Sequence, residues 1–110
     1  LRIDPYWLHY IEKNARLVVY GGDNVARQYM QQIQSRTDLT VIEQIGFDVD
    51  KVLDIEQTSY DYILVAVKNR EKAQNVINQI SQYFIPAGKI LWFEQTEFYW
   101  KFAKAQGMLK

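Results

Sequence analysis

The residues best suited to chemistry lie in the stretch Arg16-Leu-Val-Val-Tyr-Gly-Gly-Asp-Asn-Val-Ala26. An apolar run breaks there at Gly21 and Gly22 and passes straight into a helix-like segment. This is the order strand, tight turn, helix N-terminus, which in a parallel α/β sheet aims backbone amides at a phosphate-sized site. Gly21 suits the turn, and Ala26 is small enough where the helix must approach the strand. Asp23 stands where G-x-G-x-x-G has its second glycine. A carboxylate at that point satisfies the free amides itself and repels a pyrophosphate. Two unit charges about 4 Å apart interact by about 4 kcal/mol at an effective dielectric near 20, and Lys68 or Arg70 would offset part of that. Two readings stand side by side: a helix capped by its own side chain, and a working phosphate site.

Further candidates come from where ligands sit in open α/β sheets, beyond the carboxyl ends of the strands at the point where strand order reverses. The lining there would be Gly21, Gly22, Asp23 and Asn24 after the first strand, and Lys68, Asn69 and Arg70 after the third. Asp48 and Asp50, after the second strand, complete the rim. In a phosphate site, Gly21, Gly22 and Asn24 would donate backbone amides and Lys68 would assist. An acid about 20 residues beyond the glycines contacts ribose hydroxyls in dinucleotide sites, and Asp48 lies somewhat further along. Acids in loops after strands are also commonplace turn residues, and Lys68 and Arg70 fit a solvated rim or an ion pair equally well. His9 is the only histidine and falls in the first helical segment, as a surface or packing residue. No Ser-His-Asp set, HExxH or P-loop lysine-serine pair occurs, and Asp48 and Asp50 lack the further ligands of a calcium or zinc site.

These residues must be positioned by alternating elements. Asp4-Pro5 reads as a cap and first helical residue, predicting a helix to about Asn14. Leu17 to Tyr20 is a continuous apolar strand, of the kind buried on both faces. Asn24 to about Arg36 carries Val25, Tyr29, Met30 and Ile33 at helical spacing. Thr40 to Phe47 is a second strand, and Lys51 to Ser59 an irregular connector with one helical turn at Ile55 to Thr58. Tyr62 to Val67 is the clearest strand. Glu71 to Tyr83 is an amphipathic helix with Ala73, Val76, Ile77 and Ile80 on one side, and Pro86 to Gly88 break it. Lys89 to Phe93 is a fourth strand, and a last helix runs from about Thr96 to Ala105. Strands alternating with helices predict an α/β fold of three layers, with about four parallel strands in the order 2-1-3-4 and helices on both faces.

The bulk properties narrow the classes. With 110 residues the chain is a single domain, too short for a two-lobed dehydrogenase or transferase. Beginning at Leu1, it is expected to be a fragment of a larger protein. The 13 basic and 13 acidic residues cancel, which gives no field to attract nucleic acid or an anionic membrane. Without cysteine there are no disulfides or thiolate sites, in keeping with a reducing, cytoplasmic setting. No apolar stretch reaches the roughly 18 residues of a membrane span.

Aromatics make up 15% of the chain and crowd its ends: Tyr6, Trp7 and Tyr10, then Trp92, Phe93, Phe98, Tyr99, Trp100 and Phe102. One helix on a small sheet cannot bury them all. The expectation is that the terminal helices pack together and present an apolar patch to another copy or to the rest of a parent chain; a plain, well-filled core is the alternative.

Three segments, Leu17-Val-Val-Tyr-Gly-Gly-Asp-Asn-Val-Ala26, Ile45-Gly-Phe-Asp-Val-Asp50 and Tyr60-Asp-Tyr-Ile-Leu-Val-Ala-Val67, together resemble a known pattern. They are similar to the small Rossmann-like modules of bacterial sugar and polysaccharide biosynthesis proteins, which read Tyr-Gly-Ala-Gly-x-x-Gly, Gly-Phe-x-Asp and Asp-Tyr-x-x-x-Ala. The likeness spans about residues 16–92. Gly21 matches the first glycine, Asp23 and Ala26 replace the other two, and Val49 falls where the family has its acid, unless Asp48 or Asp50 takes that place. The resemblance implies a Rossmann-like accessory domain beside a glycosyltransferase, phosphocholine-transferase-like or sugar-nucleotide-modifying domain; the lack of an acid–base pair and the short length speak against an enzyme of its own. NAD(P) or a nucleotide-sugar would be its ligand, if it binds one. The alternative is an interaction or oligomerisation module that retains the fold.

Overall fold

Four consecutive residues, Leu17 to Tyr20, are exposed by 4% or less, and they alternate between two separate cores. In the computed structural model, which describes residues 6–94, they form most of strand β1 (Arg16–Tyr20). Around it are β2 (Thr40–Ile45), β3 (Tyr62–Val65) and β4 (Ile90–Leu91), in the spatial order β2-β1-β3-β4. Every neighbouring pair is parallel. The expected four-stranded α/β Rossmann-like arrangement is thus present. Its helices are α1 (Asn24–Ile33), α2 (Val49–Leu53) and α3 (Arg70–Ser81).

The direction of strand addition reverses between β1 and β3. With crossovers of one hand, that reversal sends α1 to one face and α2 and α3 to the other. The cores show it. Leu17, Val19 and Leu64 pack with Ala26, Tyr29 and Ile33 of α1 and with Trp7, Leu8 and Ile11. Val18, Tyr20, Ile63 and Val65 pack with Val52 of α2 and with Ala73 and Ile80 of α3. A strand apolar throughout is therefore a wall shared by two cores.

β2 departs from simple alternation. Val41 pairs with Leu17 and belongs to the first core, while Ile45 pairs with Tyr20 and belongs to the second. Residues four apart in a regular strand share a face. The register jumps from Leu17↔Val41 to Val18↔Glu43, so Ile42 is a surplus residue, a bulge that moves the following side chains to the other face. Ile42 itself is left 38% exposed on the sheet edge.

Several boundaries differ from the sequence expectation, each for a local reason. β2 ends at Ile45, whose carbonyl accepts the Gly21 amide at 2.9 Å as β1 turns away. β3 ends at Val65, although the Ala66 amide still donates to the Tyr20 carbonyl at 2.8 Å. The expected irregular connector contains a true helix, α2, whose cap is Asp48, followed by a 3-10 turn at Gln57–Ser59. β4 keeps only two of its five expected residues. Beyond it, Trp92 Nε1 donates to the Val67 carbonyl at 2.6 Å, and the Tyr29 hydroxyl donates to the Phe93 carbonyl at 3.2 Å.

The first helix is also shorter than expected. Its described part is a 3-10 turn, Tyr6–Tyr10. The Arg36 guanidinium donates to the carbonyls of Leu8 and Ile11, both at 2.8 Å, and of Glu12 at 3.3 Å. A side chain thereby replaces the amides that a continuing helix would supply. Asn14, at φ +62, then swings the chain into β1. Asp4-Pro5, the helix expected over Thr96 to Ala105, and Phe98, Tyr99, Trp100 and Phe102 lie outside the described residues. Of the aromatic ends, Trp7 is buried, edge-on to Tyr29 at 5.0 Å and beside Phe93 at 5.7 Å.

Candidate functional site

The two strands at the reversal, β1 and β3, end side by side, and the segments leaving their carboxyl ends form the candidate site. Gly21 sits at φ +132, where a Cβ would meet the Ala66 carbonyl oxygen at 2.8 Å and the Ala66 Cβ at 3.2 Å. Only glycine lets β1 turn away this close to β3. Gly22 has no such constraint, since a Cβ there would meet only the Gly46 Cα, at an ordinary 3.7 Å.

Asp23 is the N-cap of α1, and its carboxylate accepts the Val25 amide at 3.0 Å. The helix is capped by its own side chain, one of the two readings left open by the sequence. The same device recurs at the other two strand-to-helix junctions among the described residues. Asp48 caps α2 by accepting the Asp50 amide at 3.0 Å, and Asn69 caps α3 by accepting the Lys72 amide at 3.0 Å. Three candidate ligand residues therefore each hold a helix N-terminus, where Asp and Asn are favoured.

A cleft of about 580 Å³ lies between these junctions. Asp23, Lys68 and Asn69 line it, as the strand order required. Val25, Val67 and Val76 give it an apolar wall, and Tyr20, Phe47, Lys72 and Asn75 complete it. Tyr20 and Phe47 meet edge to face at 5.9 Å; Tyr20 is 4% exposed and Phe47 57%. Burial, together with the nearby Asp48 carboxylate, holds the Tyr20 phenol above its ordinary range. Gly22 and Asn24 are exposed beside the turn but do not line the cleft. Arg70 does not either: it pairs with Glu94, its guanidinium 5.8 Å from the Trp92 ring.

No family model, curated protein or solved structure matches the chain. Tyr20, Phe47, Lys72 and Asn75 were not singled out from the sequence. Two signals pointed to three of them: Lys72 and Asn75 stand three residues apart on one face of α3, and Tyr20 is the last residue of β1.

A second hollow, of about 520 Å³, lies between Leu8, His9, Lys13, Arg36 and Asp38. Its strongest cation is fully engaged, because Arg36 also donates to both Asp38 oxygens, at 2.7 and 3.2 Å. Among the described residues, no three His, Cys, Asp or Glu side chains are grouped to hold a metal ion. No helix among them is long and apolar enough to cross a membrane.

Proposed function

We propose that this chain is an accessory, non-catalytic domain whose cleft takes a nucleotide or nucleotide-sugar, within a cytoplasmic protein of bacterial surface-polysaccharide synthesis. One observation supports the ligand-binding part most directly. A concave site with an apolar wall and a few converging polar groups lies beyond the carboxyl ends of β1 and β3, where α/β sheets hold ligands. The motif resemblance of residues 16–92 supplies the biosynthetic context. A non-catalytic role is favoured because the Asp23 carboxylate is committed to the Val25 amide and His9 lines the other hollow.

A thermal-shift panel of NAD, NADP, CoA, S-adenosylmethionine and UDP- or CDP-sugars tests the reading. A ligand present at about ten times its Kd stabilises by about 1.4 kcal/mol, which moves Tm by several degrees in a domain of this size. At least one nucleotide is expected to do so. If none raises Tm at millimolar concentration, the ligand-binding function is wrong.

A second reading, a docking module that keeps the fold, is favoured by the aromatics left on the surface. Tyr10 is 67% exposed, Tyr83 49% and Phe84 93%. Concentration-dependent sedimentation together with a silent ligand panel would select it.

A further inference from the structure

The cleft carries its charges unevenly, and the unevenness sets how an anionic ligand can lie in it. On the α1 side the first turn presents the Asp23 carboxylate, already bonded to the Val25 amide, instead of an open set of amides. On the α3 side, Lys68 and Lys72 line the same space. Neither side chain has an ion-pair partner among the described residues, whereas Arg70 between them is committed to Glu94.

Tyr20 adds an independent observation. It lines the cleft at 4% exposure, yet its hydroxyl has no hydrogen-bond partner among the described residues. A buried phenol ordinarily finds one. The only sealed side-chain polar atom without a partner among those residues is the Tyr60 hydroxyl, so the Tyr20 hydroxyl is not sealed off, and its residue lines the cleft. Beside it, Phe47 meets Tyr20 edge-on and remains 57% exposed, which leaves ring surface for a planar group.

We infer that the cleft takes a planar ring bearing one anionic group, of the nucleoside monophosphate class, with the anion on Lys68 and Lys72, the ring on Phe47, and the Tyr20 hydroxyl donating to a ligand oxygen. This rests on the ligand-binding reading above and deepens it. A diphosphate laid across the glycine turn, against Asp23, is the arrangement it replaces.

Titration of the 110-residue chain with AMP, followed by amide chemical shifts and calorimetry, tests the assignment. AMP is expected to shift the amides of Val25, Val67 and Asn75. The paired substitution Lys68→Gln and Lys72→Gln is expected to weaken AMP by about tenfold or more, since both charge-assisted contacts are lost. Tyr20→Phe, which keeps the packing, is expected to weaken it by about threefold or more. Asp23→Asn, which keeps the cap, is expected to tighten it by less than about threefold through the general field alone.

The outcomes separate the two levels of the reading. If AMP moves the cleft amides but the lysine pair is indifferent and Asp23→Asn tightens binding about tenfold, the anion lies at the glycine turn and this inference is overturned. The ligand site would remain. Binding of NAD or a UDP-sugar without binding of AMP would overturn the inference equally and also leave the site standing. If no nucleotide moves a cleft amide at millimolar concentration, the ligand-site reading falls and takes this inference with it.

Discussion

At residue scale, the paired glycines separate into two roles. Gly21 is demanded by the β1–β3 contact whether or not a phosphate binds, because of its φ of +132 and the Ala66 carbonyl 2.8 Å from its would-be Cβ. Gly21→Ala is expected to cost about 2 kcal/mol or more. Gly22→Ala, whose Cβ would make only an ordinary contact with the Gly46 Cα, should stay within about 0.5 kcal/mol. Urea denaturation of the two variants checks the contrast, and equal losses would refute it. Asp23→Ala removes a cap and should cost about 1 kcal/mol, while Asp23→Asn, an equally good cap, should cost little. These residues explain why the site was only half legible. A glycine followed by a small polar residue marks a sharp turn into a helix, and that geometry serves packing and capping as well as phosphate. Asp48 shows the same ambiguity: a carboxylate after a strand reads as a ribose ligand, and here it starts α2. Tyr20 was hidden because, in an apolar strand, it reads as core, and only the fold shows that it lines the cleft.

At element scale, periodicity carried the long segments well. The spacing of Tyr29 and Ile33 in α1, and of Ala73 and Ile80 in α3, matches what is buried. Short elements were less legible, because five residues give no period to read. α2 is set by its cap and by burial of Val52, and the 3-10 turn at Tyr6–Tyr10 by carbonyls that accept from Arg36. The exit from α3 holds one of two non-glycine residues at positive φ among the described residues. Phe84 lies at φ +63 and is 93% exposed, just past the helix C-terminus. That conformation suits glycine and costs a bulky residue about 1–2 kcal/mol. Phe84→Gly should therefore raise stability by about 0.5–1 kcal/mol after glycine's own entropy cost, as a higher urea midpoint. A lower midpoint would mean that Phe84 packs against something.

At the scale of the whole molecule, Arg36 and Asp38 join parts of the chain that the sheet does not. Arg36 follows α1, grips the carbonyls after the N-terminal turn and pairs with Asp38 at 2.7 Å, while Asp38 accepts the Asn14 amide at 2.8 Å. Arg36→Ala should cost on the order of 2 kcal/mol, since several carbonyls lose their donor. The Arg36 hydrogen bonds, followed by the Asn14 amide, pull the Asp38 carboxyl down from 3.8 to about 2. A carboxyl lowered on folding stabilises fully above its ordinary value, and the contribution fades as pH falls through the lowered one. Stability should thus drop between pH 3.8 and about 2, and Asp38→Asn should be weaker at neutral pH but fall less steeply over that acid range. Urea midpoints across the range decide it. Strand order was readable because alternation and handedness leave few options. The surplus residue in β2 was not, as no residue type announces it. Its consequence concerns how far the sheet can grow. A chain lacking Ile42 would keep Val41 and Ile45 on their present sides, yet its outer rim would be straight and receptive to a neighbour's backbone. Such a variant is expected to fold and then to pile up through that rim, seen as rising light scattering, and unchanged scattering would show that the crooked position does not guard it.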